Sequence, residues 1–293
     1  SGCQSGTSLN PITLKSYPGE RAHALNMNGL DMINGQRQGG GIWITRARTT
    51  DPDIAFWNIE DITIEGGQID VGYGLSATGV PVAQAHDIHI RNNEIFNYVS
   101  AGGNDGLIHL RSGAWGGPYN IFIENNLLHD IYVIGAQLPG INSDTPGSYN
   151  NWQQTKSAAL FGAVAGLSCE TYAAVPGTCG GGNGLTVIQN NTIYNVPTAF
   201  FFKNPTKGPI FIKNNTIYNI QRLGLWSASN IFFRGNLVHD IINTSTIPQK
   251  FGISSGAFGG NSSYPVWLLS GRNLRLEYNT FAGIDTLVMF NVF

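Results

Sequence analysis

The amino-acid sequence predicts an all-β chain folded as a right-handed, single-stranded parallel β-helix of roughly eight coils. Two observations lead to this prediction: one phrase recurs along the chain, and apolar residues alternate within it with the period of a β-strand. A third is that no stretch of helical periodicity separates the strands, as an α/β barrel would require. We therefore expect the 293 residues to form one domain, 1–293.

The repeated phrase sets the length of a coil. Its copies are IHIRNNEIFNY from Ile88, IFIENNLLHDI from Ile121, TVIQNNTIYNV from Thr186, IFIKNNTIYNI from Ile210, IFFRGNLVHDI from Ile231 and LRLEYNTFAGI from Leu274. The asparagine that all copies share falls at Asn93, Asn126, Asn191, Asn215, Asn236 and Asn279. The shortest spacings between these asparagines, 21 and 24 residues, correspond to bare coils, and longer spacings predict loops.

Each phrase is predicted to be two short strands joined by a turn. Ile88 and Ile90 point inward and His89 outward, and Ile95 resumes the inward side after the turn. Asparagine is favoured at the turn because it tolerates the left-handed conformation and can bond the asparagine of the next coil. We expect an asparagine ladder at this turn of every coil.

A third strand follows a variable loop after most of the phrases. It is predicted in the segments 106–113, 157–164, 198–205, 222–229 and 264–271, which gives three short strands per coil. Segments 11–22, 41–47 and 62–69 supply the first coils, and DTLVMFNVF from Asp285 supplies a last third strand. The sequence stops there in mid-coil, and an uncapped solenoid end predicts further chain or an end-to-end or oligomeric contact.

Three insertions are predicted at 132–156, 163–184 and 243–263. The first and last precede a third strand and the middle one follows a third strand, so all three crowd one face of the helix. Loops of this length are more often functional than idle. This placement favours a groove for an extended polysaccharide.

Composition narrows the classes of partner and the compartment. A formal net charge of -2 gives no electrostatic case for nucleic acid, and no apolar run is long enough to predict a membrane span. Cys169 and Cys179 lie in a Gly-rich stretch without a nearby histidine, which favours a loop disulfide over a metal site and leaves Cys3 without a partner. We therefore expect a secreted or extracellular protein, with the periplasm as the alternative. Because the chain does not begin with Met, we expect a processed protein or a fragment.

Two parts of the sequence carry a family resemblance. NNTIYNV and NNTIYNI resemble the asparagine ladder of the right-handed β-helix superfamily typified by pectate lyases, and NPITLKSYPGERA resembles its N-terminal coil. The chain is closest in character to the alginate and other uronate lyases. The resemblance implies the pectin-lyase fold and a catalytic cleft along the third-strand sheet, and these motifs specify fold and not chemistry.

Parity along the third strands selects the side chains expected in that cleft. It places on the outward face His109, Arg111, Leu160, Phe201, Lys203 and Trp267. A β-eliminating lyase must neutralise a uronate carboxylate, remove the adjacent proton and protonate the leaving oxygen. We predict Lys203 as the base, and Arg111 with His109 as the carboxylate clamp or acid. The alternative is that these cations merely solvate an exposed sheet.

Further residues are predicted to contact the substrate. They are Trp267, Asp105, Phe201, Arg222 and Lys207. Trp267 can stack on a sugar ring, or else pack under its own loop. No metal site or cofactor is predicted, because no acidic pair occupies the outward third-strand positions, although Asp105 and Asp144 in the loops remain candidates for a calcium ligand.

Two other functions compete with the lyase. A glycoside hydrolase needs converging carboxylates, and the chain offers only Asn142-Ser143-Asp144 as an echo of such a motif, so the lyase is favoured. A non-catalytic carbohydrate-binding or structural, adhesin-like β-helix would bind glycans on the same face without cutting them. Whether the protein is an enzyme stays open.

Two outward rows are assigned no chemistry. The row Arg91, Glu124, Gln189, Lys213, Arg234 and Glu277 is expected to be a solvated ladder of weak pairs. The row Phe96, His129, Tyr194, Tyr218 and His239 is expected to be a stacked aromatic edge.

Overall fold

A computed structural model describes much of the chain. The described residues are 4–25, 41–44, 53–72, 85–100, 106–110, 118–134, 149–150, 158–161, 185–201, 209–223, 230–241, 253–254, 257–258, 267–268, 273–283 and 289–290. All regular structure in these ranges is β-strand, so the predicted all-β class is confirmed for them. None of these residues belongs to a helix that could cross a membrane.

The strands are numbered in chain order. They are β1 (Ile12–Lys15), β2 (Ala22–Ala24), β3 (Gly41–Ile44), β4 (Ile54–Glu60), β5 (Ile62–Glu65), β6 (Gln68–Val71), β7 (Ala85–Arg91), β8 (Glu94–Phe96), β9 (Tyr98–Ser100), β10 (Ile108–Leu110), β11 (Tyr119–Glu124), β12 (Leu127–His129), β13 (Ile131–Ile134), β14 (Tyr149–Asn150), β15 (Ala158–Phe161), β16 (Thr186–Gln189), β17 (Thr192–Phe201), β18 (Ile210–Lys213), β19 (Thr216–Arg222), β20 (Ile231–Arg234), β21 (Leu237–Ile241), β22 (Ile253–Ser254), β23 (Ala257–Phe258), β24 (Trp267–Leu268), β25 (Arg275–Glu277), β26 (Thr280–Ala282) and β27 (Met289–Phe290).

Two long parallel sheets contain the repeated phrases. The first-strand sheet has the order β1-β4-β7-β11-β16-β18-β20-β25, and the second-strand sheet has the order β2-β5-β8-β12-β17-β19-β21-β26. Each copy of the phrase contributes one strand to each sheet, as predicted, and the next copy lies beside it in parallel register. Parallel strands in stacked sheets, with the chain passing from one sheet to the other, are the arrangement of a parallel β-helix.

Between these sheets, a left-handed residue and a buried asparagine form the turn. Asn92, for example, has φ 59°, and Asn93 after it is 1% exposed. The Asn93 backbone N–H and side-chain Nδ2 both donate to Asn126 Oδ1, at 3.0 and 3.1 Å. Gly235 takes the left-handed position in one copy, where an added Cβ would lie 2.6 Å from Asn214 Oδ1.

The core is a stack of apolar rows from the inward positions. One row crosses the first-strand sheet through Ile59, Ile90, Ile123, Ile188, Ile212 and Phe233, all 0% exposed. A second row crosses the second-strand sheet through Ile64, Ile95, Leu128, Ile193, Ile217 and Val238, also 0% exposed. Full burial of such a side chain contributes about 1.5–3 kcal/mol, so the alternating pattern fixes the register of both sheets.

A third-strand sheet contains β3, β6 and β10 in parallel. β10 falls in the segment 106–113 that was predicted as a third strand, whereas β3 and β6 fall in or next to segments that were assigned only to the first coils. β24 pairs in parallel with β27, which lies in the segment predicted as a last third strand. One alignment was wrong: Leu160 lies opposite Phe200 and not in the row of Phe201. A one-residue shift exchanges the faces of a strand, so Leu160 shares a row with buried Phe200.

Antiparallel pairing occurs in two places among the described strands. β13 pairs with β14, and β22 pairs with β23. Both pairings fall within or at the edge of the segments predicted as insertions, at 132–156 and 243–263.

The two outward rows lie where parity placed them. Rings of the predicted aromatic edge stack at centroid distances of 4.7 to 5.1 Å, through Phe96, His129, Tyr194, Tyr218 and His239. In the charged row, neighbouring members are in register, and Arg91 contacts Glu60 at 2.6 Å. Both features lie on sheets other than the third-strand sheet.

Candidate functional site

The outward face of the third-strand sheet brings together three polar or aromatic side chains. Backbone register places Trp43 beside Asp70, and Asp70 beside His109. Adjacent strands lie about 4.8 Å apart, so the row spans about 10 Å from Trp43 to His109. Inward neighbours such as Ile69 and Ile108 are 0% exposed and hold the strands against the core.

His109 and Asp70 form the chemical centre of this row. His109 Nδ1 lies 3.5 Å from Asp70 Oδ2, and the side chains are 10% and 0% exposed, respectively. A carboxylate at this distance stabilises an imidazole ring when both ring nitrogens carry protons. A small exposed part of an otherwise buried imidazole suits proton transfer to a bound molecule.

Trp43 gives the same row an exposed aromatic surface. It is 43% exposed, although it belongs to a strand whose Ile44 is 1% exposed. β3 approaches β6 closely at Gly41, where an added Cβ would lie 2.1 Å from the Gln68 carbonyl oxygen. An exposed indole two strands away from a buried imidazole offers an apolar surface and a proton-transfer group on one sheet.

His109 is the one predicted catalytic residue within the described ranges. Arg111 and Lys203 lie outside the described residues, as do Asp105 and Lys207. All three cysteines, Cys3, Cys169 and Cys179, also lie outside them, so the disulfide stays a prediction.

Three predicted substrate-binding residues are placed at the level of the backbone. Phe201 ends β17 opposite Phe161, and Arg222 ends β19 opposite Thr198. Trp267 begins β24 opposite Met289. Their roles stay predictions.

Sequence reasoning missed Asp70 and Trp43. The segment assigned to the first coils ended at residue 69, one position before Asp70, and parity was not applied to β3 and β6. The signal that could have found both residues is the alternation of inward and outward side chains in GIWI and QIDV. This alternation puts Trp43 and Asp70 in the row of His109. One outward position of the third-strand sheet therefore carries an acidic residue, Asp70.

A second group of polar and aromatic side chains surrounds His86, near the starts of β4, β7 and β11. His86 Nδ1 is 2.6 Å from Asp87 Oδ2, and His86 Nε2 is 4.0 Å from Asp53 Oδ2. The Tyr119 ring stacks on His86 at 4.7 Å. Burial raises the pKa of Tyr119 above its ordinary value, and the charges of Asp53 and Asp87 raise it further. This keeps the hydroxyl protonated, so Tyr119 is a weak candidate for a base.

Among the described residues, neither the His109 row nor the group around His86 provides a metal centre. Within the described ranges, no three His, Cys, Asp or Glu side chains are placed to hold a metal ion together. The predicted calcium candidates, Asp105 and Asp144, lie outside these ranges.

Comparison of the chain with protein-family models, curated proteins and solved structures found no match in any of the three.

Proposed function

We propose that this protein is a secreted lyase that cleaves a uronate-containing polysaccharide, of the alginate type, by β-elimination. The proposed groove runs over the third-strand sheet. The observation that carries the proposal is His109 beside the buried carboxylate of Asp70, on an outward row that also exposes Trp43. A histidine beside a carboxylate is a proton-transfer group, and elimination is a sequence of proton transfers.

The proposal includes a more detailed fold. We infer a right-handed helix of roughly eight coils, with the asparagines forming a ladder at one turn. The hydrogen bonds that link Asn93, Asn126, Asn191, Asn215, Asn236 and Asn279 in sequence support it. Such a stack gives a rigid frame, on which outward third-strand positions have fixed spacing.

The chemistry assigns one step to each group. Lys203 takes the proton at C5 of the uronate, the electron pair forms the C4–C5 double bond, and the bond from C4 to the glycosidic oxygen breaks. His109 donates its proton to that oxygen, while Asp70 stabilises the doubly protonated imidazole before transfer. Arg111 neutralises the carboxylate and so stabilises the developing negative charge. The proton taken by Lys203 and the proton given by His109 balance, and no water is consumed.

Substrate binding is assigned to the apolar and cationic groups along the groove. The Trp43 indole stacks on a sugar ring, since about half of its surface is exposed at 43%. Trp267, Phe201, Asp105, Arg222 and Lys207 extend the proposed groove along the helix axis. The proposal invokes no cofactor, because Arg111 supplies the positive charge.

The test is ultraviolet absorbance of the unsaturated uronate product. Wild type and His109→Ala are incubated with alginate, pectate and glycosaminoglycans, and Lys203→Ala is assayed alongside them. We expect wild type to produce the absorbance on one polymer class and each variant to lose about 10²–10⁴-fold in rate.

The matched control is His129→Ala, which removes a histidine paired with Asp130 at 2.8 Å on the second-strand sheet. Its rate per folded molecule should equal that of wild type. If wild type produces no unsaturated product from any polymer, or His109→Ala is fully active, the lyase proposal is wrong, and a binding or structural role takes its place.

A further inference from the structure

A cationic patch lies on the first-strand sheet, on a different face from His109. Lys213 on β18 is in register with Arg234 on β20, and Arg275 on β25 is in register with Phe232. The Arg275 guanidinium lies 5.4 Å from the Phe232 ring centroid, which holds it over the sheet. Three cations thus occupy three adjacent strands about 4.8 Å apart.

These cations differ from Arg91 and Arg21 on the described part of the chain. Arg91 contacts Glu60 at 2.6 Å, and Arg21 approaches Glu94 at 3.9 Å. Within the described part of the chain, Lys213, Arg234 and Arg275 make no ion pair. Glu277 lies in register with Arg234, so the patch combines three cations with one carboxylate and keeps an excess of positive charge.

Tyr278 stands beside the patch in a strained conformation. Its φ is 55°, at the turn position where other copies of the phrase have Asn or Gly. A bulky side chain at positive φ is a true outlier, and such strain persists where it serves a function. The Tyr278 ring is 81% exposed, and the Arg234 guanidinium lies 5.1 Å from its centroid. Most of the Tyr278 surface is therefore accessible to a ligand.

We propose that Lys213, Arg234, Arg275 and Tyr278 form a non-catalytic binding subsite for an acidic polysaccharide. A sugar ring stacks on the exposed Tyr278 ring, and the three cations bind carboxylates of neighbouring sugar units. The choice of an acidic polysaccharide as ligand rests on the function proposed above. The subsite holds the polymer on one face of the helix while the groove on another face acts on it.

Two other occupants are outcomes of the test. Single-stranded nucleic acid also stacks on aromatic rings and contacts arginine, so oligodeoxythymidine is compared with alginate. A second copy of the chain would need a self-complementary surface. The acidic side chains toward the other end of this face include Glu60, which contacts Arg91 at 2.6 Å, and Glu124, which approaches His89 at 3.8 Å.

The experiment measures binding of immobilised alginate in a non-cleaving His109→Ala background, at about 0.02 and 0.3 M salt. Tyr278→Asn removes the ring and restores the residue that fits the turn, so the variant should fold at least as well. We expect it to weaken binding about tenfold. The combined variant Lys213→Gln, Arg234→Gln and Arg275→Gln should weaken binding further and reduce its dependence on salt.

Matched controls remove one tyrosine or three cations at positions outside the proposed subsite. Tyr17→Asn removes another exposed tyrosine, which is 75% exposed. The combined variant Lys15→Gln, Arg21→Gln and Arg91→Gln removes an equal charge from the other end of the helix. Both controls should bind alginate as the background protein does. Equal binding by Tyr278→Asn and the background, or tighter binding of oligodeoxythymidine than of alginate, would overturn the inference.

The result also separates this inference from the lyase proposal. If the wild type cleaves no polymer but alginate binding depends on Tyr278, the subsite stands and the lyase proposal fails. If the wild type cleaves alginate and Tyr278→Asn binds it unchanged, the lyase stands and the subsite fails. Self-association that the triple variant abolishes, without alginate binding, would assign the patch to a contact between copies.

Discussion

The asparagine turn and the outward row of the third-strand sheet use their residues in opposite ways. At the turn, the same asparagine recurs in six copies of the phrase, and each bonds the next. On the third-strand sheet, three adjacent strands carry Trp43, Asp70 and His109 at one register position. A residue type that recurs at one position in every coil stabilises the fold of each coil. A position whose residue differs between adjacent coils can carry a functional side chain. The predictions below test this division.

The largest effect is expected from Asn191→Ala, which breaks the repeated turn. Asn191 Oδ1 accepts from the Asn126 backbone N–H and Nδ2 at 2.9 and 3.0 Å, and its Nδ2 donates to the Ile123 carbonyl at 2.9 Å. Since a buried unsatisfied polar group costs about 1–3 kcal/mol, we expect the free energy of unfolding to fall by about 4 kcal/mol. Urea unfolding followed by circular dichroism measures it.

The neighbouring Asn190 provides the control. It is exposed and has φ 57°, so Asn190→Ala should cost only the strain of a left-handed alanine, about 1 kcal/mol. Equal losses for the two variants would show that the buried side chain is not what stabilises the turn.

The next effect is expected from Asp70→Asn in the varying row. The substitution preserves shape but removes the charge that lies 3.5 Å from His109 Nδ1 and stabilises the doubly protonated imidazole. We expect kcat on the cleaved polymer to fall about 100-fold, or about 2.7 kcal/mol, with KM little changed. Steady-state kinetics measure both constants.

Asp130→Asn is the matched control, because Asp130 also contacts a histidine, at 2.8 Å, but on the second-strand sheet. It should leave kcat unchanged. A fall in kcat for Asp130→Asn as large as that for Asp70→Asn would remove the distinction between the two sheets.

The repeated parts of the fold could be predicted from sequence because each copy of the phrase has the same alternation of apolar and polar residues. The phrase from Ile210 and the phrase from Ile231 both alternate with period two, so their strands and inward residues were correct. The third strand was harder, since variable loops separate it from the phrase. There the alignment of Leu160 slipped by one residue, and Asp70 was missed beside His109. The contacts within a row that occurs only once depend on the register of its strands. Because the pattern is not repeated along the sequence, it does not specify that register.

A smaller effect is expected within the aromatic stack of the second-strand sheet, which also repeats. His129 has a ring on each side, Phe96 at 5.0 Å and Tyr194 at 4.7 Å, whereas His239 stacks on Tyr218 at 5.1 Å and lies opposite Ala282. Ring pairs contribute about 0.5–1.5 kcal/mol each. His129→Ala should therefore cost about 2 kcal/mol of unfolding free energy, and His239→Ala about half of that. Thermal and urea unfolding test the ratio, and equal losses would show that ring neighbours are not the cause.

The smallest effect is a loss of stability at alkaline pH. It concerns Tyr194, a member of the same aromatic stack. Burial raises the pKa of Tyr194 above its ordinary 10.0, with further contributions from Tyr218, Asp130 and Glu94. Because the folded pKa exceeds the unfolded one, the stability gained from the neutral ring is present below the unfolded pKa and lost as pH rises through the folded pKa. Unfolding free energy should fall above about pH 10, and Tyr194→Phe should make that fall shallower. Urea unfolding across this pH range measures it, with Tyr17→Phe as the control at an exposed site. An unchanged slope in Tyr194→Phe would show that this ring in the stack does not cause the alkaline loss.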